Sequence, residues 1–224
     1  MSARELAPTP VLVAGREPRW PATVVVVALS ALYLLLPDRL SLGPTYLFPA
    51  LALLLAVPLA IVAPTRHVEE SRILRISGFA LLGLVAVANL SSLAMLVRDL
   101  LGVHHAVDGR ELLQAALIVW TCNLLVFGLW FWELDRGGPD QRSGGGATAP
   151  DFLFPQQGDP DLRAGGWRPT LADYLYVAFT NGTAFSPTDT MPVSLRAKAL
   201  MAGHALASLV TIVLVTARAV NVLQ

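Results

Sequence analysis

The chain has 224 residues, of which 54% are hydrophobic and only 14% are charged. An average soluble domain carries about 25% charged residues, so this chain has too few charges to cover a surface that faces water. The 16 basic and 16 acidic residues cancel, which removes the electrostatic basis for binding nucleic acid, and we expect an all-α integral membrane protein whose partner is the lipid bilayer.

The apolar runs divide the chain into four regions. Residues 1–20 form a polar N-terminal segment, residues 21–132 a four-helix transmembrane region, residues 133–171 a flexible polar loop, and residues 172–224 a half-helix with its loop and a final transmembrane helix. Because about twenty apolar residues cross a bilayer, we place full spans near residues 21–37, 46–63, 76–97, 112–132 and 199–220. The prediction is five transmembrane helices plus a re-entrant half-helix, and the alternative is six helices.

Basic residues in the short loops set the orientation of such a chain. With the N-terminus inside, ten arginines lie in cytoplasmic segments and three in outer loops. The ten are Arg4, Arg16, Arg19, Arg66, Arg72, Arg75, Arg136, Arg142, Arg163 and Arg168, and the three are Arg39, Arg98 and Arg110. This bias predicts a multi-pass protein of the inner (plasma) membrane with a cytoplasmic N-terminus, in which residues 133–171 form a cytoplasmic loop.

The stretch "DYLYVAFTNGTAFSPTD" at residues 173–189 begins like a membrane helix and breaks after about ten residues. If it crossed the bilayer, Arg196 and Lys198 would lie outside and the charge count would be ten to five, whereas a re-entrant segment gives twelve to three. We therefore expect a half-helix capped by Asp173, with the chain reversing at Asn181 and Gly182 because glycine permits positive φ. Pro187 prevents a regular helix from continuing. The predicted pore-loop or turn residues are Asn181, Gly182, Thr183, Ser186, Pro187, Thr188 and Asp189.

A half-helix, a loop with Asp189 and a long apolar helix resemble the pore-loop and inner-helix unit of two-span potassium channels. Aligned on Asp189, the positions of the channel filter read Ala184, Phe185, Ser186, Pro187 and Thr188. Both filter glycines are missing, so the resemblance implies a pore loop without potassium selectivity.

The last third of the chain also resembles a family of bacterial polytopic membrane proteins known as domain of unknown function 1345. The residues that carry the resemblance are "DFLFP" at 151–155, "DYLYVAFTNGTAF" at 173–185, "SPTD" at 186–189, and "HALAS" and "ARAVNVL" in the last helix. The match covers roughly residues 150 to 223. It implies a membrane protein of the same layout and supplies no activity.

Polar residues recur on one face of the last helix at spacings of three and four, which is a helical period. They are His204, Ser208, Thr211 and Arg218, and the fourth span adds Gln114 and Asn123 while the third adds Asn89, Ser91 and Ser92. Polar groups facing hydrocarbon lack partners, so these side chains must face protein or water. One interpretation is a hydrated pathway with His204 as a proton-responsive group. The other is interhelical bonding without transport.

The remaining patterns argue against catalysis. We find no phosphate-binding loop, dinucleotide fingerprint, zinc-protease motif or nucleophile elbow. His104 and His105 are adjacent, which is not a common ligand spacing on a helix, so no metal site is predicted. The prediction is a channel-like membrane protein without catalytic residues or cofactors, expected to form a homo-oligomer and to pass a small ion or solute that the sequence does not identify. A non-conducting scaffold or sensor and a secondary transporter are the alternatives.

Overall fold

The computed structural model describes residues 17–41, 43–62, 72–101, 109–143, 149–183 and 189–222. Across these ranges the regular secondary structure is helical, mostly α with short 3-10 turns, apart from one pair of two-residue strands, which confirms the predicted all-α class. The α-helices are α1 (Trp20–Leu34), α2 (Leu47–Val62), α3 (Arg72–Leu101), α4 (Gly109–Leu134), α5 (Pro139–Ser143), α6 (Pro160–Ala164), α7 (Leu171–Thr183) and α8 (Leu195–Val222). The strands are β1 (Phe152–Leu153) and β2 (Met191–Pro192).

Among the residues that the structure describes, three helices are long and apolar enough to cross a membrane. The qualifying stretches are Ile76–Asp99 in α3, Arg110–Gly137, which covers all of α4 after Gly109, and Leu195–Val213 in α8. Helix α1 is apolar but has only 15 residues, so it rises about 22 Å against the roughly 30 Å of a bilayer core. These helices are consistent with a membrane protein.

Helix α4 is the centre of the bundle, because α1, α3, α7 and α8 all pack against it. Its contact with α7 is close: a Cβ atom added at Gly128 would lie 3.2 Å from the Cα of Leu175 and 2.6 Å from its Cδ2. A glycine at this position therefore lets the two backbones approach. The short helix α7 is held between α4 and α8.

The segment between α4 and α7, which we expected to be a flexible loop, is folded where the structure describes it. Phe152 and Phe154 are almost fully buried. The ring centroid of Phe152 lies 5.2 Å from that of Phe131 in α4, and the centroid of Phe154 lies 5.2 Å from that of Tyr174 in α7. Burial of these two aromatic side chains supplies the apolar contact area that a polar linker lacks.

The two strands pair with each other on either side of α7 in the chain. Strand β1 precedes α7 and β2 follows it, and they pair antiparallel, with Phe152 opposite Pro192 and Leu153 opposite Met191. The chain therefore enters and leaves the α7 segment at the same end of the bundle. Because α7 has 13 residues, it extends about 20 Å from this end.

The predicted turn residues Asn181 and Gly182 do not turn the chain. They are inside α7, which continues to Thr183. Ser186, Pro187 and Thr188 lie outside the described residues. Gly182 does not have a positive φ, and a Cβ atom added there would lie 3.1 Å from the His204 ring, so the glycine permits close packing.

Candidate functional site

Asp173 caps the start of helix α7 by accepting two hydrogen bonds from Thr170. The backbone N–H and the hydroxyl of Thr170 both donate to the Asp173 carboxylate, at 2.7 and 2.8 Å. We predicted Asp173 as the cap itself, but the helix starts at Leu171, so Asp173 is in its first turn and bonds back to the residue that precedes the helix. The carboxylate accepts from the Thr170 N–H, which has no partner within the helix. Its negative charge is also favourable at the positive end of the helix dipole.

The other end of α7 is tied to α8 by Asn181 and His204. The side-chain Nδ2 of Asn181 donates to the Met201 carbonyl at 2.9 Å and lies 3.0 Å from His204 Nδ1. His204 is fully buried. It is nine residues from the start of α8, which is about 13 Å along the helix axis. The end of α7 therefore lies beside the interior of α8 and not beside its first turn.

Aromatic rings and a glycine enclose the imidazole of His204. Phe127 stacks on it with ring centroids 4.7 Å apart, and Phe131 meets it edge-on at 6.0 Å. A Cβ added at Gly182 would lie 3.1 Å from His204 Nε2 and 2.6 Å from Leu124 Cδ2. A larger residue at position 182 would force the Leu124 side chain, the His204 ring or α7 itself to shift.

A chain of hydrogen bonds joins α3, α4 and α8 farther along the bundle. Asn89 Nδ2 donates to Asn123 Oδ1, and Asn123 Nδ2 donates to Ser208 Oγ, both at 3.1 Å. All three side chains are at most 2% exposed. Thr211 on the same face is buried as well, and its hydroxyl donates to the Ala207 carbonyl of its own helix. We call Asn89, Asn123, His204, Ser208 and Thr211 the polar row.

Other predicted site residues lie elsewhere. Gln114 is exposed on the outer face of α4, so it does not belong to the polar row, because the inward face of that helix passes through Ala115, Val119 and Asn123. Asp189 is exposed, and no hydrogen bond joins its carboxylate to another residue in the described ranges. Arg218 is in α8, but its side chain lies outside the described structure.

A buried carboxylate fastens β1 to the helices. Asp135, just after α4, is fully buried and accepts three hydrogen bonds. The backbone N–H groups of Asp151 and Phe152 donate to its Oδ1 at 2.8 and 3.1 Å, and the Tyr174 hydroxyl donates to its Oδ2 at 2.6 Å. One side chain thus joins the end of α4, the start of β1 and the first turn of α7.

Arg142 completes this end of the bundle. Its Nη1 donates to the carbonyls of Trp132 and Asp135 at 2.6 and 2.8 Å, and its Nη2 lies 3.0 Å from the Glu17 carboxylate. Its side chain is 6% exposed. A guanidinium here satisfies carbonyls at the C-terminal end of α4 and opposes the negative end of the helix dipole.

Strand β2 is held to β1 by an ion pair, and we call this pair of strands the ribbon. Arg196 Nε and Nη2 donate to the two oxygens of Asp151, each at 2.7 Å, and the Val193 N–H donates to the Asp151 carbonyl at 2.8 Å. Burial raises the pKa of the Asp151 carboxyl, but hydrogen bonds from Arg196 and Ser194 lower it by more, so the pKa lies below its ordinary value. The carboxylate is therefore charged at neutral pH.

The sequence interpretation missed these end-of-bundle residues. Arg142 and Arg196 were counted only as loop charges, and Asp135 and Asp151 were not singled out, because their partners are up to 125 residues apart in the chain. The signal in the sequence was the apolar character of Phe152, Phe154 and Trp167, which exceeds what a linker requires and indicated that part of this segment folds back onto the protein or the membrane surface.

No family model, curated protein or solved structure matches the chain. The resemblances to the bacterial membrane family and to potassium channels thus stay predictions. The function proposed below is based on the geometry of α7, α8 and the polar row.

Proposed function

We propose that the protein is a pore-loop membrane channel that passes a small cation, with five transmembrane helices and α7 as a re-entrant half-helix. The observation that carries the proposal is the pairing of β1 with β2, which returns the chain to the end of the bundle from which α7 starts. The length of α7, about 20 Å, does not by itself decide that the segment is re-entrant, because α1 is only slightly longer and is counted as a span. The return of the chain to its starting end favours the re-entrant interpretation. A segment that goes in and comes back on one side is the geometry of a pore loop.

The direction of α7 favours a cation over an anion. Its N-terminal end lies at the ribbon, and its C-terminal end lies beside Met201 and His204 in the interior of α8. The carbonyl groups at a helix C-terminus carry about half a negative elementary charge. Half-helices that end inside membrane proteins use such carbonyls to attract cations.

The pore would be formed between several copies of the chain. Within one protomer the polar row is packed and hydrogen bonded, and a cavity of about 60 Å³ lies elsewhere, between α1, α2, α3 and α4, lined mainly by apolar residues. The outer side of α7 exposes Tyr176 and Phe179, at 65% and 49%. In a homo-oligomer these faces would surround a shared axis. We place the oligomer in the inner membrane with the N-terminus in the cytoplasm.

A non-conducting scaffold is the second candidate, and one observation favours it. The bonds among Asn89, Asn123 and Ser208 satisfy most of the polar groups that face one another, as expected for contacts that only hold helices together. The scaffold and the channel share the same architecture and differ in whether ions cross.

The topology is tested by labelling single cysteines in intact cells, in a Cys122→Ala background, with a thiol reagent that does not cross membranes. Leu162→Cys precedes α7, Val193→Cys follows it, and Tyr46→Cys reports the opposite end; all three positions are exposed. A re-entrant α7 predicts that residues 162 and 193 behave alike and unlike residue 46. Labelling of residues 162 and 193 from opposite sides would refute the re-entrant half-helix.

Conduction is tested with purified protein in liposomes, by measuring K⁺ and Na⁺ flux beside chloride flux. We expect cation flux that exceeds that of empty liposomes and does not saturate, and we expect cross-linking of the reconstituted protein to trap an oligomer. Cation flux no greater than that of empty liposomes from a correctly inserted oligomer would favour the scaffold, and saturable flux of one solute would favour a transporter.

A further inference from the structure

We propose that Asn181 and His204 form a latch that holds the C-terminal end of α7 against α8, and that acid releases it. The latch deepens the proposed function as a regulation of the same half-helix. Its structural part, the separation of α7 from α8, does not require that the protein conducts.

The bonding partners fix the protonation state of the closed latch. The Met201 carbonyl can only accept a hydrogen bond, so the atom of Asn181 that lies 2.9 Å from it must be the amide nitrogen. The same nitrogen lies 3.0 Å from His204 Nδ1, which must therefore accept and carry no proton. His204 is neutral in this arrangement, with its single proton on Nε2.

The surroundings of His204 provide no charge that could stabilise a second proton. Helix α4 contributes Phe127 and Phe131, and α7 contributes Asn181 and Gly182. None of these groups is titratable, and no charged residue in the described ranges interacts electrostatically with the imidazole. Within the same ranges Nε2 is buried without a hydrogen-bond partner. The face of Phe127 would offset only part of the cost of burying an imidazolium.

Protonation would break the latch directly. A proton on Nδ1 would place an N–H donor against the amide N–H donors of Asn181, whose orientation Met201 fixes. A cation in this apolar site is stable only if water reaches it, which requires α7 to move away. Because a solvated imidazole has a pKa of about 6.5, the ratio of released to closed latch rises as pH falls below that value, by up to about tenfold per pH unit.

The separation of the helices can be measured with spin labels. In a Cys122→Ala background, nitroxides are attached at Tyr176 on α7 and Leu206 on α8, which are 65% and 63% exposed. The labelled protein is diluted with unlabelled protein so that distances report one protomer. We expect the distance distribution to shift to longer values between about pH 8 and pH 5. A reference pair at Leu117 and Leu206 reports α4 and α8 and should not shift.

Two variants test whether the distance change comes from protonation of His204 or from another titrating group. His204→Asn places an acceptor oxygen two bonds from Cβ, where Nδ1 lies, and cannot take up a proton, so the distance should stay short at both pH values. Asn181→Leu removes the donor, so a longer distance should be present already at pH 8. An unchanged distance in the parent at low pH, or an equal acid response in His204→Asn, would overturn the latch. If His204→Asn does not fold, a short distance at pH 8 in Asn181→Leu would overturn it.

Flux measured at both pH values shows whether the latch governs the pore. If the distance responds to acid and flux rises with it, the latch regulates conduction. If the distance responds and the protein conducts at neither pH, the latch stands as a conformational switch and the channel proposal is wrong.

Discussion

Gly182 lies where the last turn of α7 packs between α4 and α8. An alanine there would place its methyl group 2.6 Å from Leu124 Cδ2 and 3.1 Å from the His204 ring. Overpacking of this kind costs about 1–3 kcal/mol, so we expect Gly182→Ala to lower the thermal unfolding midpoint of the purified protein. The same substitution should weaken the contact between Asn181 and His204, because the clash pushes α7 outward.

A matched glycine provides the control. Gly203 is exposed on α8, and nothing lies within 4 Å of the position that its Cβ would occupy. Gly203→Ala should be neutral or should stabilise by about 0.5–1 kcal/mol, because alanine favours the helix. Equal unfolding midpoints for the two variants would show that position 182 is not tightly packed.

Asp135 is the buried acceptor on which the end of the bundle depends. Asp135→Ala would leave two backbone N–H groups and the Tyr174 hydroxyl without their acceptor. Each buried donor left unpaired costs about 1–3 kcal/mol, so we expect a total loss above about 3 kcal/mol, measured by unfolding in detergent. Tyr174→Phe removes only one of these bonds and should cost about 1 kcal/mol. A smaller loss for Asp135→Ala than for Tyr174→Phe would contradict the assignment.

Among the elements, α8 was the most predictable. Its polar spacing indicated that His204, Ser208 and Thr211 share one face, and all three are buried together with Asn123 and Asn89. The pattern could be identified because both the spacing and the penalty for polar groups in hydrocarbon are local properties of one helix. The residues that pack against this face could be identified only as polar residues within other apolar runs. That criterion is not sufficient, because Gln114 meets it and faces outward.

The β ribbon and the end of α7 were not predictable in the same way. Strands of two residues leave no periodic signal, and their pairing depends on Asp135 and Arg196, which are distant in sequence. Asn181-Gly182 is a common turn sequence, but in this protein the amide of Asn181 finds acceptors on α8 and Gly182 allows close packing. Tertiary contacts therefore extend the helix past the residues that locally favour a turn.

The ribbon should respond to acid through Asp151. Its pKa is below the ordinary value of about 3.9, so the folded state favours the charged carboxylate. The stabilisation is present above about pH 4 and is lost as pH falls through the lower folded pKa. Arg196→Met removes the main opposing cation, so burial should then raise the pKa and move the loss of stability to higher pH. Unfolding midpoints between about pH 3 and pH 7 check this shift, and identical pH profiles would contradict it.

The ion pairs at the two ends of the helix bundle differ in how deeply they are buried. At the ribbon end, Arg142 and Glu17 form a pair in which the side chains are 6% and 17% exposed. At the other end, the side chain of Arg39 is 34% exposed and pairs with Asp99 and Glu111, whose side chains are 13% and 41% exposed. Water and salt therefore screen the pair of Arg39 with Glu111 much more than the pair of Arg142 with Glu17.

This asymmetry predicts different effects of removing one arginine from each end. Arg39→Gln should cost less than about 1 kcal/mol, and the cost should shrink further in high salt. Arg142→Gln should cost about 3–5 kcal/mol with little salt dependence, because the Glu17 carboxylate and two carbonyls would lose a buried cation. Unfolding of both variants at about 0.05 and 1 M NaCl makes the comparison. If Arg142→Gln were the milder or the more salt-sensitive change, the ribbon end would not be the fixed base from which α7 and α8 extend, and movement of α7 alone would no longer explain release of the latch.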